Sequence, residues 1–470
     1  MPSAYTPPVT TPSRPPTRPS RERDLTTGSV AEHVRALAIP SALSLLFITV
    51  YNVTDTLFAG QVSTEAQAGL GLGSQLFFLV SALGVGFRIG ASAVVGQYLG
   101  AGQREAAARA STQVLSSSLF VTIAVMIAGY FGFDPLIDWV AGGQAYGGAA
   151  KQYVDILLLA SPGFVVAYAL SGVQSAQGDA QTLARAQFAS SMLNIGLNPL
   201  LVFGIPGVVD GMGLAGIAWS TLVCQTGVLF YILRQTLRSS VFRSFRVGHL
   251  VPDLPVLADL SQQVVPGTAR LLVIVVGGLL AQLYLEPFGE DAVAAYNVGL
   301  RLEQLLLLPA IGVTSAVLPF VSQNMGARRP DRVREGFWLS VGIGAAIMAF
   351  GSVAVWFAGR PVVALFGAGE GAETLAMEYL MTVSVGWPLF GLLFGLQNLL
   401  QGLKRPLAPL VVGVWRQGVA MALFGWLFVR WMDWGPLGVW AAVLAGMVTG
   451  TAMMVAATAW VLRTEELNLR

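Results

Sequence analysis

From residue 37 onward the chain alternates long apolar runs with short polar turns. The runs lie near 37–58, 66–97, 113–132, 152–175, 187–205 and 213–234, and again near 263–286, 293–324, 338–357, 378–400, 408–430 and 437–462. Crossing about 30 Å of hydrocarbon takes roughly twenty helical residues, and each run supplies about that many. Barrel strands need only about ten alternating residues, so the length of the runs selects helices. Loop charges agree with the count. With an inside N-terminus, the inner segments hold Arg14 to Arg35, GQREAAARA, Arg185, RQTLRSSVFRSFR, GARRPDRVRE and LKRP. The outer loops hold only Lys151, Arg360 and Arg430 as basic residues, beside Asp134, Asp210, Glu290, Asp291 and Glu373. Positive residues thus favour one side at every loop, and an odd number of spans would break that alternation. The expected fold class is an all-α integral membrane protein with twelve transmembrane helices and both termini cytoplasmic.

The two sets of six repeat one another. Pro40 pairs with Pro266, Gln97 with Gln323, Gly100 with Gly326, Tyr153 with Tyr379 and Pro162 with Pro388, all 226 residues apart. AQGDAQTLA also matches LQGLKRPLA, at a spacing of 224. Six helices per copy give both copies one orientation, so the lobes are parallel repeats about an axis along the membrane normal. Pseudo-symmetric halves of this kind enclose a central cavity in transporters and rock against each other. The expected organisation is a disordered cytoplasmic tail over 1–35, an N-lobe over 36–237, a cytoplasmic linker over 238–260, a C-lobe over 261–463 and a short tail over 464–470.

Composition narrows the chemistry. The 470 residues are 54% hydrophobic and only 11% charged, with a mean hydropathy of +0.66, whereas soluble domains carry about 25% charged residues. A net charge of +2 without a basic cluster speaks against a nucleic-acid partner. The single cysteine, Cys224, excludes an intrachain disulfide and a cysteine-based metal site. HExxH, GxSxG and Walker-type loops are missing, so hydrolase or ATPase chemistry is not expected, nor any cofactor. The first thirty-five residues are rich in Pro, Ser, Thr and Arg, and no apolar stretch there resembles a signal peptide.

Against this background, YNVTDTLFAG places Asp55 inside an apolar run, where an acid costs about 2.5–3.5 kcal/mol on insertion scales. Such an acid is either a neutral, hydrogen-bonded structural group or one that gains and loses a proton as a cavity opens to each side. Arg88, Arg270, Arg301 and Arg416 also fall inside runs, as does Glu303. Arg270 and Arg416 lie nearer a span end, where a long side chain can snorkel; Arg88 and Arg301 sit deeper. Glu303 is two residues from Arg301, a spacing that does not bring the two together on a helix, so the partner of Glu303 is expected on another helix. Arg88, Arg301 and Glu303 are candidates for a cavity charge network, with structural pairing as the alternative. Four arginines against two acids would suit an anionic or zwitterionic substrate. Pro40, Pro162, Pro266 and Pro388 are expected kinks and candidate hinges.

Over residues 36 to 460 the chain resembles the multidrug and toxic compound extrusion (MATE) family, closer to its DinF-like than its NorM-like branch. The resemblance rests on the proline and Asp55 of the first helix, GQYLGAGQREA and SQNMGARRPDR, VGLRLEQLLLLPAIG, and AQGDAQTLARAQFASSMLNIGLNPLLVFG. It implies an antiporter of the bacterial inner membrane that exchanges protons or sodium for small organic compounds by rocking. Carried over residue by residue, it implies an ion site of Asp55 and Tyr51 on the first helix, Asn194 and Asn198 on the fifth and Thr221 on the sixth. Spacings of four residues put Tyr51 with Asp55, and Asn194 with Asn198, on one helix face. Asn198 stands where many DinF-like members carry a second acid, which shifts the expected coupling ion from sodium to the proton. The repeat mate of Asp55 is Ala281, so the C-lobe acid site of NorM-like members looks absent. Expected partners are small organic molecules and membrane lipids, and a monomer is expected. Two other functions fit the pattern less well: a flippase for lipid-linked oligosaccharides, and a non-transporting receptor or scaffold that would have no need of Asp55.

Overall fold

A computed structural model of the chain describes residues 22–205, 207, 209–367 and 369–464. The first lobe comprises α1 (Val30–Val62), α2 (Thr64–Gly100), α3 (Arg104–Ala141), α4 (Tyr146–Ala176), α5 (Gln181–Phe203) and α6 (Leu214–Leu237). A two-rung antiparallel pair, β1 (Gly204–Ile205) and β2 (Val209–Asp210), joins α5 to α6. The second lobe comprises α7 (Leu254–Leu285), α8 (Glu290–Ser315) running on into α9 (Val317–Gly326), α10 (Pro330–Ala364), α11 (Glu370–Ser384) and α12 (Pro388–Gly402). It ends with α13 (Leu407–Val414), α14 (Ala420–Gly425) and α15 (Pro436–Thr464). Among the described residues ten helices are long and apolar enough to span a membrane, and α11 with α12, bent by 58°, make an eleventh. The twelfth span is α5, whose 23 residues include Gln187, Ser190, Ser191, Asn194 and Asn198. Those polar residues lower its hydropathy and form part of the site described below.

The repeat is visible in how glycines let the lobes touch. A Cβ on Gly100 would meet the Gln323 carbonyl oxygen at 1.8 Å, and one on Gly326 would meet that of Gln97 at 2.1 Å. These contacts are mates at the 226 spacing. The same holds for Gly86 against Thr268 and Gly312 against Ala42, while Gly96 packs on its own mate, Ser322. Backbones this close require residues without a side chain, as in other small-residue helix crossings. Within the lobes, Gly73 and Gly299 receive the mated rings of Tyr153 and Tyr379. Among the described residues, the close glycine contacts and hydrogen bonds between lobes all lie in the half that carries the arginine-rich loops, here called the basic end.

Two boundaries differ from the sequence expectation. The linker over 238–260 is shorter: its 3₁₀ turns Val241–Ser244 and Val247–Leu250 dock on α3, and α7 already begins at Leu254, capped by Asp253. Gln113 fixes this connection by donating to the His249 and Val251 carbonyls at 2.7 and 2.9 Å. The expected tail over 1–35 is not loose beyond residue 22, although residues 1–21 lie outside the described residues. Leu25 is fully buried with Ala180, Ala316 and Phe320. Its backbone N–H donates to Gln323, and its carbonyl accepts from Asn324 and Arg332, both at 3.1 Å. Arg23 N–H donates to the Gln177 carbonyl of the other lobe at 2.9 Å. One apolar residue in a polar tail gave too little periodic signal to reveal this clasp. Leu25→Ala is expected to cost on the order of 2–5 kcal/mol, read as a lower thermal midpoint in detergent; an unchanged midpoint would contradict a packed clasp.

Candidate functional site

Asp55 lies two turns from the end of α1 and is 6% exposed. Asn198 and Asn194 of α5 both donate their side-chain amides to its Oδ1, at 2.7 and 3.0 Å. The two amides also approach each other at 3.4 Å, as their four-residue spacing allows. Both asparagines are fully buried. Pro199 follows at once, and because it has no N–H it leaves the Ile195 carbonyl without a helical donor. One turn before Asp55, the Tyr51 hydroxyl donates to Thr221 Oγ1 of α6 at 3.0 Å, and the Thr221 hydroxyl also lies against the Asp55 carboxyl group. The five residues proposed from the sequence therefore meet in one buried cluster built from three helices.

Its chemistry follows from the donor set. Two amide N–H groups converge on one carboxylate oxygen, so either charge state of the carboxyl keeps an orienting partner. The Thr221 hydroxyl, which accepts from Tyr51, completes the set by donating to the carboxyl group. The ion pairs among the described residues are Arg109–Asp253, Lys151–Asp138, Arg246–Glu105 and Lys404–Asp259, all toward the ends of the bundle. None neutralises Asp55, which has only neutral partners. An unpaired charge in this setting is costly, and such acids mark ion and substrate pathways.

Sequence reasoning missed three neighbours. Ser220 Oγ lies 3.4 Å from the Asn194 amide, Tyr153 of α4 is an electrostatic neighbour of Asp55, and Cys224 contacts Tyr51 and Ser220. Cys224 stands one turn after Thr221, so helical spacing could have found it. Tyr153 was visible as a repeat anchor, but nothing in the sequence pointed its ring toward α1. In the second lobe, the mates of the cluster are Ala281, Gly418 and Ala422, the last two at the 224 spacing. The repeated scaffold therefore has no carboxyl group at that point.

The remaining candidates do not join this cluster. Glu303, 7% exposed on α8, accepts a 2.7 Å hydrogen bond from the Tyr379 hydroxyl of α11. Its direct partner is thus on another helix and is not Arg301, which is exposed on α8. Arg88 is half-buried on α2 near Tyr168. Arg301, Arg88 and Glu303 do not form one network. Pro40, Pro162 and Pro266 sit inside continuous helices α1, α4 and α7. Pro388 instead opens α12 after the 58° bend, beside the fully buried Trp387. The mated Pro162 and Pro388 thus shape their spans differently, whereas Pro40 and Pro266 occupy equivalent positions.

Known proteins agree with this architecture. The MatE family profile matches residues 40–200 and again 266–427, two stretches starting 226 residues apart. The chain is 22% identical over 385 residues to a FAD transporter of Shewanella oneidensis, covering 81% of this chain and 84% of that one. It is 23% identical over 430 residues to a probable multidrug resistance protein NorM of Thermotoga maritima, with 88% of each covered. A solved outward-facing conformation of a multidrug resistance MATE family transporter superposes with a TM-score of 0.88, covering 95% of this chain and 98% of that one at 21% identity. That similarity establishes the fold. With a repeated six-helix lobe, a buried acid on the first helix and a family match across both repeats, the chain belongs to the MATE family of multi-pass membrane transporters, which are not enzymes.

Proposed function

We propose that this protein is a secondary active exporter of small amphipathic organic compounds, driven by protons entering through Asp55. The observation that carries the reading is a buried carboxyl group held only by neutral donors from two other helices. Taking up a proton changes what Asp55 can accept from Asn194 and Asn198, and so biases how α1 packs on α5 and α6. The arginine-rich loops favour a cytoplasmic basic end, with both termini inside and the chain in a bacterial inner membrane. The inter-lobe seam would then close the cytoplasmic side and leave the cavity open outward. Rocking would break that seam, with Pro40, Pro162, Pro266 and Pro388 as the bending points. The chain would work as a monomer within its surrounding lipids. The relative named as a FAD transporter supports a cargo class wider than cations.

Sodium is the weaker choice of coupling ion. Asn198 turns its amide N–H toward Asp55, where a sodium site would gain from a second anionic oxygen. The test is export from proteoliposomes under imposed gradients, with a pH gradient expected to drive it and a sodium gradient alone to do nothing. Asn198→Asp supplies the second carboxyl and is expected to introduce sodium stimulation. Sodium-driven export by the wild type, indifferent to pH, would overturn proton coupling.

A further inference from the structure

The second lobe holds two guanidinium groups that the Asp55 mechanism does not use. Arg270 of α7 and Arg416, between α13 and α14, are electrostatic neighbours. Both are half-buried. Arg270 donates to Gln397 Oε1 of α12 at 2.5 Å, yet its buried Nε has no partner. Arg416 lies over the Phe390 ring, 5.8 Å from its centroid. Among the described residues, neither belongs to an ion pair. Glu303 is close enough to feel Arg416, but its carboxyl is turned to Tyr379.

Two like charges at membrane depth, with Glu303 near Arg416 but bonded to Tyr379 and no carboxylate in an ion pair with either, are expensive for a purely structural arrangement. Repeat symmetry does not account for them either: the mates are Ser44 of Arg270 and, at the 224 spacing, Met192 of Arg416. The backbone is also special here. Residues Trp415–Val419 form a π-helical segment, a distortion often found at functional sites, whereas the corresponding α5 is regular. Gly277 leaves room on α7 for Gln417, where a Cβ would meet Oε1 at 2.6 Å. Arg270, Arg416 and Gln397 thus gather beside Phe390, with the Arg416 stem resting on Gly446 and Gly450 of α15 and Gln417 turned to α7.

We infer that Arg270 and Arg416, with Gln397, form an anion-binding subsite for a carboxylate, sulfonate or phosphate group of an amphipathic substrate. Guanidinium forks suit such oxyanions because they donate in parallel pairs. Phe390 offers an apolar face next to them. The cavity is then divided by charge, with an acid in the first lobe and a cationic pair in the second. The proposal deepens the transport reading by naming a substrate class, and it rests on that reading only for the ligand's onward path.

Equilibrium binding to the purified full chain tests it without any gradient. Fluorescein and rhodamine 6G share a ring system but differ in charge, and fluorescence polarisation reads both. Arg270→Gln and Arg416→Gln are each expected to weaken fluorescein binding by about 10–100-fold, the loss of one charged hydrogen-bonding group, while rhodamine 6G changes little. Arg416→Lys, which keeps the charge, is expected to retain part of the affinity and guards against misfolding of the glutamine variants. Wild type that ignores fluorescein, or folded glutamine variants that bind it as well as wild type, would overturn the subsite. Arginine-dependent fluorescein binding by a protein that exports nothing under a pH gradient would support the subsite and sink the transport reading instead.

Discussion

Asp55→Asn is expected to abolish export driven by a pH gradient while leaving the protein folded. The substitution is nearly isosteric, and its carbonyl oxygen can still accept from Asn194 and Asn198, which now donate at 3.0 and 2.7 Å. What disappears is the ability to exchange a proton. Coupling energies between sites are typically about 1–3 kcal/mol, or roughly 5–150-fold in an equilibrium, so gradient-driven accumulation should fall by one to two orders of magnitude. Downhill exchange of substrate should persist, and the thermal midpoint should not fall, because a buried charge has been removed without a cavity. Unimpaired accumulation by the variant would give Asp55 a structural role.

The second large effect is expected at the inter-lobe seam. Gly100→Ala and Gly326→Ala each place a methyl group where a main-chain carbonyl of the other lobe now lies, at 1.8 and 2.1 Å. Neither backbone can yield without moving a helix. Overpacking costs about 1–3 kcal/mol, and here it penalises only the state in which the seam is closed. The ratio of states should therefore shift by roughly 5–150-fold toward a seam-open form. Spin labels at Arg104 and Arg329, exposed on opposite lobes, in a Cys224→Ala background, would report this as a new, longer distance population. A lowered thermal midpoint with the distances unchanged would mean that the glycines serve packing alone. Gly71→Ala is the control, because Gly71 is an ordinary helical position of α2 whose Cβ would meet nothing within 4 Å.

The fold was legible because lipid imposes one rule on every span: twenty apolar residues whose backbone is satisfied internally. Even α5, which is less apolar than the ten longest spans, was visible as a run near 187–205. Asp55 was legible as an acid in an apolar run, whereas the full cluster with Tyr51, Asn194, Asn198 and Thr221 came from the family resemblance, spacing adding only that Tyr51 with Asp55, and Asn194 with Asn198, share a helix face. Partners were harder to foresee. Glu303 finds Tyr379 across helices, 76 residues away, and no spacing rule reaches that far. The clasp around Leu25 escaped because tertiary packing, not periodicity, orders it. The π-helical turn at Arg416 escaped because a local change of helical pitch leaves no compositional trace.

In the proposed cycle these features form one device: the closed seam around Gly100 and Gly326 would leave the cavity open outward, the state in which Asp55 would take up its proton. The most direct test follows the proton itself. Proteoliposomes containing pyranine and a rhodamine 6G gradient, with no imposed pH difference, should develop an internal pH change as the dye crosses with the wild-type protein. With Asp55→Asn the dye should still cross downhill while internal pH stays flat. Dye movement without proton movement in the wild type, or equal proton movement in both proteins, would contradict Asp55 as the coupling group.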